Sequence, residues 1–443
     1  MNYKFGIIAD DLTGANDSGV QLKEKGLETS VFFQIPDQDQ KLDETIVIDT
    51  DSRALSKDQA YQTTKKSAQF LFETGYQHIY KKMDSTLRGY IGVELQAMKE
   101  VFAPTFLVVA PAFPPYGRTT EKGVHLLKGT PISETELAQD PKHPVKEARI
   151  ASIIQKQTNE KVVEIDTQVL SGGTEAWQEK LKRLEQEGVH YLVCDARDQG
   201  DLKEIAEQIN KYTDQVVWAG SAGLAEVLPD VLQISGEKVH KETIPYSQVL
   251  TVCGSLSQTT QGQIKYAVTQ QDTQSVEVET EQIFRDEWDK YKQIYINSCV
   301  EAFNNQKSVV LYVPSTQEAR EKVKALAKQM KMTPMEVGSR ISQALGAITK
   351  EVIEQVSDLR ALVLTGGDTA KYVAHCLGAT GFRLTRQLEA GIPQGSLLGV
   401  ETSIQVITKA GAFGEPASIY NAIQQLKGES ENEQETNHRY HYG

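Results

Sequence analysis

The sequence predicts an α/β protein made of two three-layer domains with largely parallel sheets and a ligand site in the interdomain cleft. Three observations carry that expectation. Short apolar runs alternate with segments whose apolar residues recur at helical spacing. At 443 residues the chain is longer than one ordinary core encloses. A polar stretch from Pro229 to Gln248 interrupts the alternation near mid-chain.

In the first half the strand candidates are FGIIA, TSVFF, TIVID, HIYKKMD, TFLVVAP, KVVEI, YLVCDA and VVWAG. VLTVCGS, SVEVE, SVVLYVP and ALVLTGG follow in the second half. Most are short and rich in β-branched or aromatic residues, which suits a buried strand. Between them KDQAYQTTKKSAQFLFETG and DLKEIAEQINKY carry apolar residues on one helical face. After HIYKKMD the chain STLRGYIGVELQAM reads as a helix, with Leu87, Ile91, Leu95 and Met98 as its core stripe. Ser85 or Thr86 is its expected N-cap, which puts Arg88 in the first turn. Domains are expected at 1–235 and 248–428, with the polar residues 429–443 as a flexible tail.

Composition narrows the function. The net charge is −13 and no Lys/Arg-rich run interrupts it, so a nucleic-acid partner is not expected. No apolar stretch approaches the roughly 20 residues of a membrane span, so neither is a membrane. The opening MNYKFGIIADD meets an acidic pair after one short apolar run, unlike a secretory signal. Cys194, Cys253, Cys299 and Cys376 are far apart and suggest neither a zinc site nor a disulfide framework. A cytoplasmic location is the expectation.

In open α/β sheets ligands bind beyond the carboxyl ends of the strands, so strand tips are where chemistry is sought. The first strand ends in Asp10 and Asp11. Such a pair needs water, a cation, a metal or a helix N-terminus to cap. The third strand ends in Asp51, Ser52 and Arg53. Along the fourth, Tyr80, Lys82 and Asp84 share one face and Ile79, Lys81 and Met83 the other. A cation such as Arg88 at a helix N-terminus opposes the dipole unless an anion joins it. With Lys82, Ser85 and Gly89 beside it, a carboxylate or phosphate site is expected there. Pairing of Arg88 with Asp84 or Glu94 is the alternative. The fifth strand runs into a long segment rich in Pro, Gly and hydroxyls, read as a functional or disordered loop. Its Gly117, Arg118 and Thr119 offer a further anion contact, and His125 reads as structural.

The second half has a different signature. Gly366, Gly367, Asp368 and Thr369 separate a strand from a helix, as do Gly254, Ser255 and Ser257. Gly411 and Gly414 follow near the end. Glycines let a phosphate approach the backbone, and helix N-termini supply amides, so nucleotide phosphates are expected. The chain has no P-loop, dinucleotide fingerprint or H-E-x-x-H.

On these residues the chain resembles the four-carbon acid sugar kinase family, formerly a domain of unknown function. The resemblance runs through IIADDLTGANDSG, TDSR, KKMDSTLRG, PAFPPYGRTT, KGVHL, DPKHPV and AGSAGLAEVL, then CGSLSQTT, TGGDTA, GIPQGSLLG and KAGAFG. It implies an ATP-dependent kinase that phosphorylates the terminal hydroxyl of D-threonate, D-erythronate or 3-oxo-tetronate. It further implies that the N-terminal domain holds the acid through Asp10, Asp11, Arg53, Lys82, Asp84, Ser85 and Arg88, with the loop at Gly117 and Arg118 closing over it. ATP would lie against Ser255 or Ser257, the run from Gly366 to Thr369, and Gly411 or Gly414. Lys82 or Arg118 would neutralise the transferring phosphoryl, and Asp10, Asp11 or Asp84 would act as base. Mg²⁺ is expected with ATP, its protein ligands open, and family analogy leaves room for a homodimer. The chain has Asp368 where the family often has Glu, Ala410 and Ala412 where Ser and Asn are frequent, and Tyr116 where Asn is frequent. Two other classes compete. A non-catalytic sugar-acid binding protein would need no phosphate-cradling domain, and an oxidoreductase of the same acids would carry a dinucleotide fingerprint.

Overall fold

The computed structural model describes residues 4–37, 40–139, 144–170, 172–236 and 245–428. They gather into two compact units divided between 236 and 245. The expected tail at 429–443, the middle of the polar stretch and residues 140–143 of the DPKHPV motif lie outside the described residues.

In the N-terminal unit the strands are β1 (Phe5–Ala9), β2 (Thr29–Phe32), β3 (Thr45–Asp49), β4 (His78–Lys82) and β5 (Phe106–Ala110). A side hairpin adds β6 (Arg118–Glu121), β7 (Val124–Leu127) and β8 (Thr130–Pro131), before β9 (Val162–Ile165), β10 (Tyr191–Cys194) and β11 (Val216–Gly220). The main sheet is parallel and ordered β2-β3-β1-β4-β11-β5-β10-β9. Its middle strands are apolar on both faces: Phe5, Ile7 and Ile8 are fully buried. Both faces are covered because parallel crossovers leave a helix on each side. α2 (Lys57–Glu73), α3 (Ile91–Phe102) and α4 (Ile150–Gln157) pack together as one layer. The other layer joins α1 (Leu12–Glu24), α6 (Gly173–Gln186), α7 (Gln199–Tyr212) and α8 (Ala222–Val231), while α5 (Thr167–Leu170) is a single turn beside α6.

Two local expectations are corrected. The helix after β4 begins at Ile91, not near Ser85, and no side chain of its own N-cap closes it. Leu87 (φ 60°) and Gly89 (φ 99°) are left-handed, so the chain turns there before helix can start. The Asp84 carboxylate accepts from Thr86 Oγ1 at 2.5 Å and from Arg88 N at 3.2 Å, local bonds that compete with the helical ladder. The N-terminal amides of α3 are met instead by Gln157, whose Oε1 accepts from Gly92 N at 2.8 Å. Second, the segment after β5 is not a structureless loop: it folds into the antiparallel sheet β6-β7-β8.

The C-terminal unit has β12 (Leu250–Cys253), β13 (Thr273–Glu277), β14 (Ser308–Tyr312), β15 (Ala361–Thr365), β16 (Gly381–Glu389), β17 (Ile392–Leu398) and β18 (Gln405–Lys409). Within it the order is β13-β14-β12-β15-β18-β17-β16; the first five are parallel, while β17 runs antiparallel to both neighbours. α9 (Gln258–Val268) and α14 (Ser418–Lys427) pack together as one layer. The other joins α10 (Trp288–Asn304), α11 (Gln317–Met330), α12 (Pro334–Gln355) and α13 (Gly367–Cys376). A core of Val249, Cys253, Ile264, Val363, Ile407, Ile419 and Ile423 ties α9 and α14 to the sheet.

Candidate active site

Strand order explains why distant acidic and basic residues meet. β1 lies between β3 and β4, and the chain changes direction across the sheet there, so the carboxyl ends of these three strands open on one crevice. Asp10 and Asp11 follow β1, Arg53 stands in the 3₁₀ turn Ser52–Ala54 after β3, and Asp84 lies two residues beyond β4. Arg53 Nε and Nη2 donate to the two Asp10 oxygens at 3.0 and 2.9 Å, and Nη2 also reaches Asp11 Oδ1 at 2.9 Å. Asp84 Oδ1 is 4.0 Å away. Asp11 caps α1 as well, accepting from Gly14 N at 3.0 Å. Asp10 is thus given wholly to Arg53, while Asp11 both pairs with Arg53 and caps the helix.

These pairs set the charge states. Burial alone would raise the Asp10 pKa, but Arg53, Lys81 and Lys82 outweigh it and hold the group below the usual carboxylate range. Asp84 is buried too, and Arg53 and Arg88 hold it far below that range. Arg88 grips Asp84 through Nε at 2.6 Å and Nη2 at 3.2 Å. The alternative of an Arg88–Asp84 pair is what the structure contains. Arg88 stands ahead of the helix rather than in its first turn, because α3 starts three residues later. Behind the crevice, Lys81 pairs with Glu94 at 3.1 Å, both fully buried, and donates to Lys82 O at 2.9 Å.

Lys82 and Arg118 are differently placed. Lys82 Nζ is buried and donates to Met83 O at 2.9 Å; a Cβ at position 14 would lie 2.7 Å from it, so Gly14 is needed for this approach. Arg118 follows Gly117, which turns the chain at φ 68°, and its guanidinium stands 5.8 Å from the Tyr116 ring centre. Its buried Nε has no hydrogen-bond partner. Among the described residues neither cation has a carboxylate within 4.0 Å. His125 is fully buried, and burial pushes its pKa down to about 4. The neutral ring bonds Ser85 O through Nε2 at 2.9 Å and Thr120 Oγ1 through Nδ1 at 3.0 Å. A carbonyl only accepts, so Nε2 carries the proton. The β6–β7 hairpin is thereby fastened to the turn that holds Asp84.

In the C-terminal unit β12, β15 and β18 are neighbours, so the three glycine turns adjoin. They touch closely. A Cβ on Gly254 would lie 2.1 Å from Thr369 Oγ1, and one on Gly411 2.3 Å from Ser255 Oγ. Gly366 (φ 90°) precedes α13, whose first amides no side chain caps. Gly367 opens that helix, Asp368 is exposed in its first turn, and Thr369 is buried behind it. Ser257 caps α9 through Thr260 N at 3.1 Å and donates to Gly411 O. Gly414 (φ 85°) closes the third turn. Uncapped amides beside side-chain-free backbone fit a phosphate.

Sequence reasoning passed over two charged residues here. Lys409, at the end of β18, is buried and donates to Ala410 O (2.9 Å), Phe413 O (3.0 Å) and Thr260 Oγ1 (3.2 Å). Burial lowers its pKa to about 8. Asp17, one turn beyond Gly14 in α1, lies near Lys82, Asp11 and Arg118. Its one signal in the sequence was its place in ADDLTGAND. Among the described residues no group of three or more His, Cys, Asp or Glu side chains converges on a metal position.

A sugar-binding N-terminal domain model matches residues 5–228, and a nucleotide-binding C-terminal domain model matches 250–419. A D-threonate kinase of Salmonella typhimurium is 34% identical over 94% of this chain and 97% of its own. A D-erythronate kinase of Heliobacterium modesticaldum is 31% identical over 96% of this chain and 98% of its own. The crystal structure of a Haemophilus influenzae protein superposes with a TM-score of 0.76 at 25% identity, covering 96% of this chain and all of that one. Among the described residues no helix is long and apolar enough to cross a membrane.

Proposed function

The chain belongs to the four-carbon acid sugar kinase family, and from that membership we propose that it transfers the γ-phosphoryl of ATP to the terminal (4-) hydroxyl of a four-carbon sugar acid. The observation that carries this reading is a pair of cations, buried Lys82 and half-buried Arg118, standing without carboxylate partners beside the Asp10–Arg53–Asp84 frame. Phosphoryl transfer needs chiefly positioning and charge neutralisation. The acid's carboxylate is taken by Arg118, Ser85 and Arg88, while Lys82 neutralises the transferring group. Asp10, Arg53 and Asp84 keep that frame rigid. Gly366, Gly367, Thr369, Gly411, Gly414, Ser255 and Ser257 surround the nucleotide phosphates. Mg²⁺ accompanies ATP, since such sites bind it through phosphates and one or two carboxylates; Asp368 is the acidic side chain at that turn. Acid and nucleotide half-sites belong to separate units, each matched by its own domain model.

D-threonate, D-erythronate and 3-oxo-tetronate, each with ATP and Mg²⁺, form the test panel for coupled ADP release. D-threonate comes first because the relative at 34% identity bears that name. Turnover with one acid is expected; no ADP release with any of the three refutes the reading. Parallel nicotinamide absorbance measurements would expose a dehydrogenase instead.

A further inference from the structure

We propose that Asp17 is the catalytic residue that accepts the proton of the substrate hydroxyl during transfer, an inference that rests on the kinase reading above. The strand-tip carboxylates are engaged elsewhere. Asp10 spends both oxygens on Arg53, and Asp84 takes Thr86, the Arg88 amide and two guanidinium nitrogens. Asp11 holds the start of α1 and Arg53. Lone pairs committed to cations make poor proton acceptors, and Asp10 and Asp84 both have depressed pKa values.

Asp17 differs on each count. It is half-buried, yet among the described residues no side-chain hydrogen bond or ion pair engages its carboxylate. The groups around it come from three elements: Tyr80 and Lys82 from β4, Tyr116 and Arg118 from the connection after β5, and Asp11 from the start of α1. The Tyr80 hydroxyl is spent on Ser221 O. Asp17 thus lies within electrostatic reach of the two cations that lack carboxylate partners, three residues (about 4.5 Å of rise) along α1 from the glycine on which Lys82 rests. Burial raises its proton affinity and Asp11 adds to that, with Lys82 opposing. A base serves best when its pKa approaches the working pH.

In the step itself the substrate's terminal oxygen bonds to the γ-phosphorus. The bond from that phosphorus to the β–γ bridging oxygen breaks, and its electron pair leaves on ADP. The hydroxyl proton passes to an Asp17 Oδ and goes to water after the products depart. Lys82 neutralises the moving phosphoryl and keeps it from repelling the carboxylate.

The test uses the full chain with whichever acid the wild type turns over. Asp17→Asn should lower kcat by roughly 10²–10³-fold, the range of a positioned general base, while calorimetry shows Kd for acid and ATP within about threefold of wild type. The acid limb of the kcat–pH profile should vanish. Asp17→Glu, which keeps the charge but displaces it by a methylene, guards against a folding failure; its kcat should fall with the acid limb still present. A kcat near wild type in either variant overturns the proposal, as does a loss confined to acid affinity. A wild type inactive on every acid fails the kinase reading instead, so the two are distinguishable.

Discussion

Arg53 is the counter-ion of a buried carboxylate group, and its removal should register as a pH-dependent loss of stability. It makes three charge-assisted hydrogen bonds, two to Asp10 and one to Asp11, and approaches Asp84 at 4.0 Å. Asp10 is 2% exposed, so water cannot replace the guanidinium. Breaking a buried ion pair by deleting one partner costs about 3–5 kcal/mol. For a unit of this size each kcal/mol lowers the melting temperature by roughly 2–4 °C, so Arg53→Ala should melt roughly 6–20 °C below wild type at pH 7.5. In the wild type the depressed pKa values of Asp10 and Asp84 contribute stability that is present above the ordinary carboxylate range, near pH 4, and is lost as pH falls through their folded values. In the variant the burial of Asp10 is opposed only by Lys81 and Lys82, so its pKa is expected to rise, and stability should be regained as protonation relieves the buried charge at lower pH. Differential scanning calorimetry at pH 7.5 and 5.0 should therefore show the gap narrowing. Arg53→Lys, which restores charge without the planar fork, should fall between. A gap below about 2 °C, or one independent of pH, would refute the reasoning, since either requires Asp10 to be solvated or otherwise paired.

Gly254→Ala places a Cβ 2.1 Å from the buried Thr369 Oγ1, an overpacking worth roughly 1–3 kcal/mol. Calorimetric titration should show weakened ATP binding and unchanged acid binding; equal losses in both would contradict the assignment of the glycine turns to the nucleotide. Lys409 has a lowered pKa of about 8, so its ammonium is present below that pH and disappears above it. The KM for ATP should rise from pH 7 to 9 in the wild type, whereas Lys409→Met should start high and change little; a flat wild-type profile would count against the role of this lysine in shaping the loop.

The sequence made the α/β class legible because buried parallel strands, such as Phe5–Ala9 and Ala361–Thr365, are continuous apolar runs. The ends of those runs pointed to Asp10, Arg53, Asp84 and the Gly366 turn. Pairing was not legible, because which carboxylate Arg53 engages follows from β1 lying between β3 and β4, a matter of tertiary order. The start of α3 was misplaced because Asp84 gathers local donors that propensity does not count. Strands β16 and β17 escaped notice since Arg383, Arg386, Pro393 and Gly395 break the apolar alternation. Gly395 packs so tightly that a Cβ would lie 2.3 Å from Arg383 O. Lys409 escaped as a single lysine with no spacing pattern around it, and Asp17 as one more polar position on an amphipathic helix.

The lysine at the end of β18 also acts as a mould. It draws the carbonyls of Ala410 and Phe413 toward one point, and Ser257 and Thr260 pull on the carbonyl of Gly411. A trans peptide is planar, with N–H opposed to C=O. Each carbonyl turned inward therefore turns the following amide, at Gly411, Ala412 and Gly414, away from the lysine. A positive charge buried behind the backbone thus fashions a row of donors in front of it, without any side chain of the loop taking part. Alanine can stand at 410 and 412 for that reason: the donors of this turn belong to a main chain cast around an ammonium.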